Sequence, residues 1–168
     1  MLDRLTPYGI GVTVSLPHRE AVRATRAALA AAGFGVLTEI DFAATLGEKL
    51  GVELPPYVVL GACHAPSAHR ALLAEPNAGL LLPCNVAVYT TGRGDRCVVA
   101  ALDPMAALSM AGNAALESLA ADVARRLRQA LTDVAASGPR VPEVDRMAGA
   151  GPAPDSVHAT AEAVEEIS

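Results

Sequence analysis

Two apolar runs, residues 86–91 and 97–102, flank the link Gly92-Arg93-Gly94-Asp95, and that arrangement constrains the chain more than any other feature. Each run has the length of a strand, and a short Gly-rich charged link between such runs reads as a hairpin turn. A hairpin pairs its strands antiparallel, so the sheet that contains it is not of the all-parallel kind.

The remaining pattern fills in around this pair. Tyr8, Ile10, Val12, Val14 and Leu16 alternate with Gly9, Gly11, Thr13 and Ser15, the period of a strand with one buried face. Pro17 suits the start of a helix, which runs to about Ala32 and stops at Gly33. Its apolar stripe is Val22, Thr25, Leu29 and Ala32, with Arg19, Arg23 and Arg26 on the outer face. Residues 34–41 read as a second strand, 45–50 as a short helix closed by Gly51, and Tyr57 begins a third strand after Pro55-Pro56. A short helix follows over 66–75, then a turn at Pro76-Asn77-Ala78-Gly79. Asp103-Pro104 ends the hairpin. Asn113 then caps a long helix to Ala136, with Leu116, Leu119, Val123, Leu127, Leu131 and Val134 as its buried stripe.

The element order is β-α-β-(short α)-β-α-β-β-α. The expected fold is α+β: a two-layer sandwich with a mainly antiparallel sheet and its helices on one face. The uncovered face is assigned Tyr57, Val59, Val86 and Val88, and a second copy packed against it makes the protein a homodimer.

Gly138-Pro139 marks a boundary: residues 1–138 read as one domain and 139–168 as a flexible Pro/Gly/Ala-rich tail, with a weak helix over 156–167. The tail holds Arg140 and Arg146 against six carboxylates, a balance of −4, which leaves −1 of the total −5 for the domain. A near-neutral domain offers no electrostatic footprint for nucleic acid, and 3% aromatic residues with no Trp give no base-stacking platform. No apolar stretch is long enough to span a bilayer. Three cysteines without a recognisable signal peptide indicate free thiols in the reducing cytoplasm.

Candidate chemistry concentrates where two strands meet their neighbours. Cys63 stands at the end of one strand and Cys84 at the start of another, with His64, Pro83 and Asn85 beside them. If those strands are adjacent, Cys63 and Cys84 approach one another. Two thiolates with the His64 imidazole then suit a soft metal such as zinc or copper, with His69 as a further donor. The competing reading is that both cysteines are small apolar core residues. Asn85 either orients a ligand through its amide or turns the chain into the strand. Cys97 reads as core, while His18 and His69 read as solvent-facing. Glu39 and Asp41 share a strand face, an arrangement open to acid–base work or to plain solvation.

The stretches Gly61-Ala62-Cys63-x-x-Pro66 and Leu81-Leu82-Pro83-Cys84-Asn85-Val86, together with Asp103-Pro104, resemble the bacterial and archaeal "domain of unknown function 302" family. Gly33-Phe34 and Glu39-Ile40-Asp41 fit as well, so the resemblance covers nearly all of the domain, from Tyr8 to Ala136. It implies a two-layer α/β sandwich with an antiparallel sheet and a dimeric assembly, and it implies no activity. His64 stands where the resemblance leads one to expect asparagine.

Three readings follow. The first is a dimeric module binding a small ligand or metal around Cys63, Cys84 and Asn85, with no cofactor specified. The second is an enzyme with Cys84 as nucleophile, which requires a depressed thiol pKa. The third is a protein-interaction module acting through the sheet face and the acidic tail.

Overall fold

The computed structural model describes residues 2–91 and 96–138. The hairpin is present: β5 (Cys84–Thr90) and β6 (Arg96–Leu102) pair antiparallel, with Val88 opposite Val99 and Val86 opposite Ala101. Around it stand β1 (Asp3–Thr6), β2 (Gly9–Ser15), β3 (Gly35–Asp41) and β4 (Tyr57–Cys63). The sheet order is β1-β2-β6-β5-β4-β3, and every neighbouring pair is antiparallel. The helices are α1 (His18–Ala31), α2 (Phe42–Leu50), α3 (Ala65–Ala74), α4 (Pro104–Ser109) and α5 (Ala114–Ala136), with a 3-10 segment over Pro76–Leu81. The α+β sandwich expected from the pattern is the observed fold.

Helix α1 ends as its sequence dictates. Gly33 adopts φ +88°, its N–H donates to the Ala30 carbonyl, and the Phe34 N–H reaches back to the Leu29 carbonyl. This is a Schellman closure, and glycine takes the left-handed position because it has no Cβ to clash there. Asn113 caps α5 as expected, its Oδ1 accepting from the Ala115 N–H at 3.0 Å.

Two cores lie on the helix side of the sheet. The larger sits between the central strands and α1 and α5, where Leu29, Leu60, Val86, Val88, Leu127 and Leu131 are sealed from solvent. A smaller one joins α3, the 3-10 segment, α4 and the start of α5 through Ala71, Ala78, Leu108, Leu116 and Leu119. Each buried Leu or Val contributes about 1.5–3 kcal/mol relative to exposure, which is how a core nearly free of aromatic residues holds the layers together.

The structure corrects several expectations. Val86 and Val88 lie on the helix-covered face and are fully buried, whereas Tyr57 and Val59 do lie on the open face. Both faces of β5 carry apolar residues, so alternation alone could not choose between them. Helix α2 starts at Phe42, earlier than expected, because the Asp41 carboxylate accepts from the Ala44 N–H at 2.9 Å and caps it. Strand β1 was not anticipated: four residues before the Pro7-Tyr8 turn are too few to show a period. Helix α4 was also unexpected. Asp103 does end β6, but its Oδ1 then accepts from the Met105 N–H at 3.0 Å and starts a new helix. The tail over 139–168, its predicted helix and the hairpin link 92–95 lie outside the described residues.

Candidate functional site

Strands β4 and β5 are neighbours, as the candidate site requires, with Ala62 opposite Cys84 and Gly61 opposite Asn85. Cys84 is the first residue of β5, at the strand start as expected, and Asn85 is the second. Successive strand side chains point to opposite faces, so Cys84 turns toward the helices and Asn85 toward the open side. Cys84 is buried and Asn85 exposed, which agrees. The single cluster expected of Cys63, Cys84 and Asn85 is therefore divided by the sheet.

Cys63, His64 and Cys84 border a pocket of about 30 Å³ at the seam between the two cores, together with residues such as Ser67, Leu108 and Val123. That volume holds about one water molecule. Burial, reinforced by the negative charge that Cys63 would carry, pushes the Cys84 thiol up to about 11. Burial also raises Cys63. Both thiols are thus protonated at neutral pH, the opposite of an activated nucleophile. His64 precedes α3, its Nδ1 shares a 2.8 Å hydrogen bond with Ser67 Oγ, and its ring meets Phe34 edge-on at 5.9 Å. Among the described residues no group of three or more His, Cys, Asp or Glu side chains is placed to hold a metal ion, so Cys63, His64 and Cys84 do not assemble a three-donor set.

A second cleft, of about 250 Å³, adjoins this pocket and shares Leu81, Leu82 and Ala107 with it. Pro83 and Asn85 line it together with Leu80, Leu81 and Leu82 and with Tyr8, Leu102, Ala106 and Met110. The Leu82–Pro83 peptide bond is cis. Gly61 lies beneath Pro83: a Cβ there would stand 2.9 Å from Pro83 Cγ and 2.3 Å from Thr38 Oγ1. The cleft's rim is unusually apolar, with Leu80 87% and Met110 75% exposed. Among the described residues no charged side chain lines it, and the Asn85 amide has no hydrogen-bond partner.

The cleft residues outside the Pro83–Asn85 motif were not anticipated from sequence. Tyr8 and Met110 stand far apart along the chain, and only the fold brings them together. One local signal was present: Leu80-Leu81-Leu82 is an apolar run with no strand or helix period of its own.

The other candidates resolve into structural roles. His18 is not solvent-facing: its Nε2 bonds the Val88 carbonyl at 3.0 Å. His69 is exposed, and Cys97 is buried, its thiol donating to the Leu16 carbonyl at 3.3 Å. Glu39 pairs with Arg26 of α1 while Asp41 caps α2, so the two carboxylates do not act on one point. Asp122 bonds Arg126 at 3.0 Å, and that bond with the nearby guanidinium charges lowers its pKa.

No functionally curated protein matches the chain. The crystal structure of an uncharacterized conserved DUF302 protein from Bacillus stearothermophilus superposes with a TM-score of 0.70 at 28% identity, over 77% of this chain and 99% of that one. The sequence model for "Domain of unknown function DUF302" matches residues 10–134, which spans every strand from β2 onward and nearly all of α5. Fold and sequence agree, and the chain belongs to the DUF302 family.

Proposed function

We propose that this domain is a non-enzymatic, homodimeric module that binds a small molecule in the cleft over Pro83 and Asn85. The observation that carries the reading is the Asn85 amide, without a hydrogen-bond partner among the described residues, in the lining of a mainly apolar cleft of about 250 Å³. Small-molecule sites are concave and mainly apolar, with a few polar groups that fix orientation, and this volume falls just below the drug-sized range. The thiols play no direct part in this reading. Three free cysteines suit a reducing, cytoplasmic setting. Among the described residues no helix is long and apolar enough to cross a membrane.

A thiol-dependent enzyme using Cys84 is less well supported, because a thiol at about 11 is scarcely ionised at neutral pH and sits in a pocket of about 30 Å³. The soft-metal reading of Cys63, His64 and Cys84 lacks a third placed donor. The dimer rests on a separate observation. Ile40, Phe42 and Tyr57 are exposed together beside the open sheet face, and Tyr57 stacks on Tyr89 at 5.1 Å.

The test is native beside denaturing mass spectrometry on anaerobically purified wild type and Ala106→Trp, a change at a half-buried position that fills the cleft. The expected result is a dimer whose native mass carries an adduct in wild type and none in the variant. An adduct retained equally by both proteins would refute the assignment to this cleft. A monomer would refute the dimer.

A further inference from the structure

We infer that the cleft selects a neutral molecule with one amide-like edge, a hydrogen-bond donor beside an acceptor as in a carboxamide or a lactam, attached to a small apolar body. This rests on the cleft reading above and specifies its ligand. The argument begins with what the cleft lacks. Among the described residues no Asp, Glu, Lys, Arg or His lines it. A carboxylate or ammonium entering it would lose part of its hydration and gain no counter-charge from the described lining.

The second part is what the cleft does present. Asn85 is exposed and pinned by its backbone, which is in register opposite Gly61 in the β4–β5 ladder. Its amide offers a carbonyl acceptor and an N–H₂ donor side by side. The complement of that pair is another amide edge, which satisfies both groups at once. A ligand with only a hydroxyl or a single carbonyl leaves one of them unpaired on contact. Asparagine reads the paired donor and acceptor of adenine by the same geometry.

The third part is the wall. Pro83 stands over Gly61, where any larger residue would collide with Pro83 Cγ at 2.9 Å. The proline ring is therefore seated low in the sheet, with Asn85 two residues on. The flanking leucines and Met110 supply apolar surface, and methionine adapts its shape to what it meets. A compact, flat or cyclic apolar body fits this surface.

The test uses four probes of one shape: benzamide, benzoate, benzylamine and toluene. Their binding to the full chain is followed by ligand-observed NMR and calorimetry at neutral pH, where benzoate is anionic and benzylamine cationic. Benzamide is expected to bind wild type most tightly, with toluene weaker by roughly five- to tenfold from the loss of one or two neutral hydrogen bonds. Benzoate and benzylamine are expected to fall at least as far behind.

Asn85→Ala should bring benzamide down to the level of toluene and leave toluene unchanged. Asn85→Asp, which supplies a negative acceptor and no donor, should shift the preference from benzamide to benzylamine. A merely structural role for Asn85 would not produce that reversal. The inference is overturned if a charged probe matches benzamide on wild type, if benzamide fails to bind, or if Asn85→Ala leaves benzamide affinity intact. Ala106→Trp separates this failure from that of the cleft. If it abolishes whatever probe binding exists, the cleft stands and only the ligand class falls. If probes bind and Ala106→Trp changes nothing, both fall.

Discussion

Burial of the Cys84 thiol makes a quantitative statement about alkaline stability. The folded thiol titrates near 11 against an ordinary value of 9.0, and burial is the main cause. Below pH 9 the thiol is neutral in both folded and unfolded chains, so the shift costs nothing. As pH rises through 9 the unfolded thiol loses its proton first while the folded one keeps it. The unfolded state then binds fewer protons, and stability falls with pH. Linkage with a shift of about two units gives a loss of under about 1 kcal/mol at pH 9, on the order of 1 kcal/mol at pH 10 and on the order of 3 kcal/mol well above pH 11.

Cys84→Ala removes this titration, and the change in volume is small. Tyrosines, lysine and Cys97 titrate in both proteins and cancel to a first approximation when the two are compared, whereas Cys63 is coupled to Cys84 and contributes to the difference. The assay is urea unfolding of wild type and Cys84→Ala at pH 7, 9 and 10, with m held as a check on two-state behaviour. The variant has its own offset at pH 7 from lost packing. The expectation concerns the slope: wild type should lose about 1 kcal/mol more than the variant between pH 9 and pH 10. Parallel profiles for the two proteins would refute the buried, protonated thiol. A wild type that gains stability relative to the variant over this range would point instead to a stabilised thiolate, and would revive the nucleophile reading.

Two further outcomes probe the scaffold. Gly61→Ala puts a Cβ 2.3 Å from Thr38 Oγ1 and 2.9 Å from Pro83 Cγ, and should lower stability by about 1–3 kcal/mol in urea unfolding; an unchanged midpoint would mean that Pro83 does not pack on β4 as described. Truncation after Gly138, just beyond the end of α5, should leave the thermal midpoint and the far-UV circular dichroism per folded residue unchanged. Aggregation or unfolding of the truncated chain would place part of 139–168 inside the folded unit.

Much of the scaffold was legible before any coordinates, because it rests on local rules. Alternation at 8–16 marked the strand that became β2, the apolar runs around 92–95 specified an antiparallel pair, and Gly33 and Asn113 marked helix ends by backbone chemistry confined to a few residues. The sequence also determined that the core would be aliphatic and that Cys63 and Cys84 would end and begin strands.

Only the tertiary structure decided which way those strands faced. In β5, Val86, Ala87, Val88 and Tyr89 are apolar in succession, so no period distinguishes a covered face from an open one until neighbours are placed. That choice separated Cys84 from Asn85. It put the thiol in a closed seam where burial holds its proton, and put the amide in a cleft assembled from Tyr8, Leu80 and Met110. Helix capping and alternation act over a few residues and can be read along the chain. Burial, ionisation and the shape of a cleft depend on what packs from elsewhere, and those neighbours exist only once the sheet has closed.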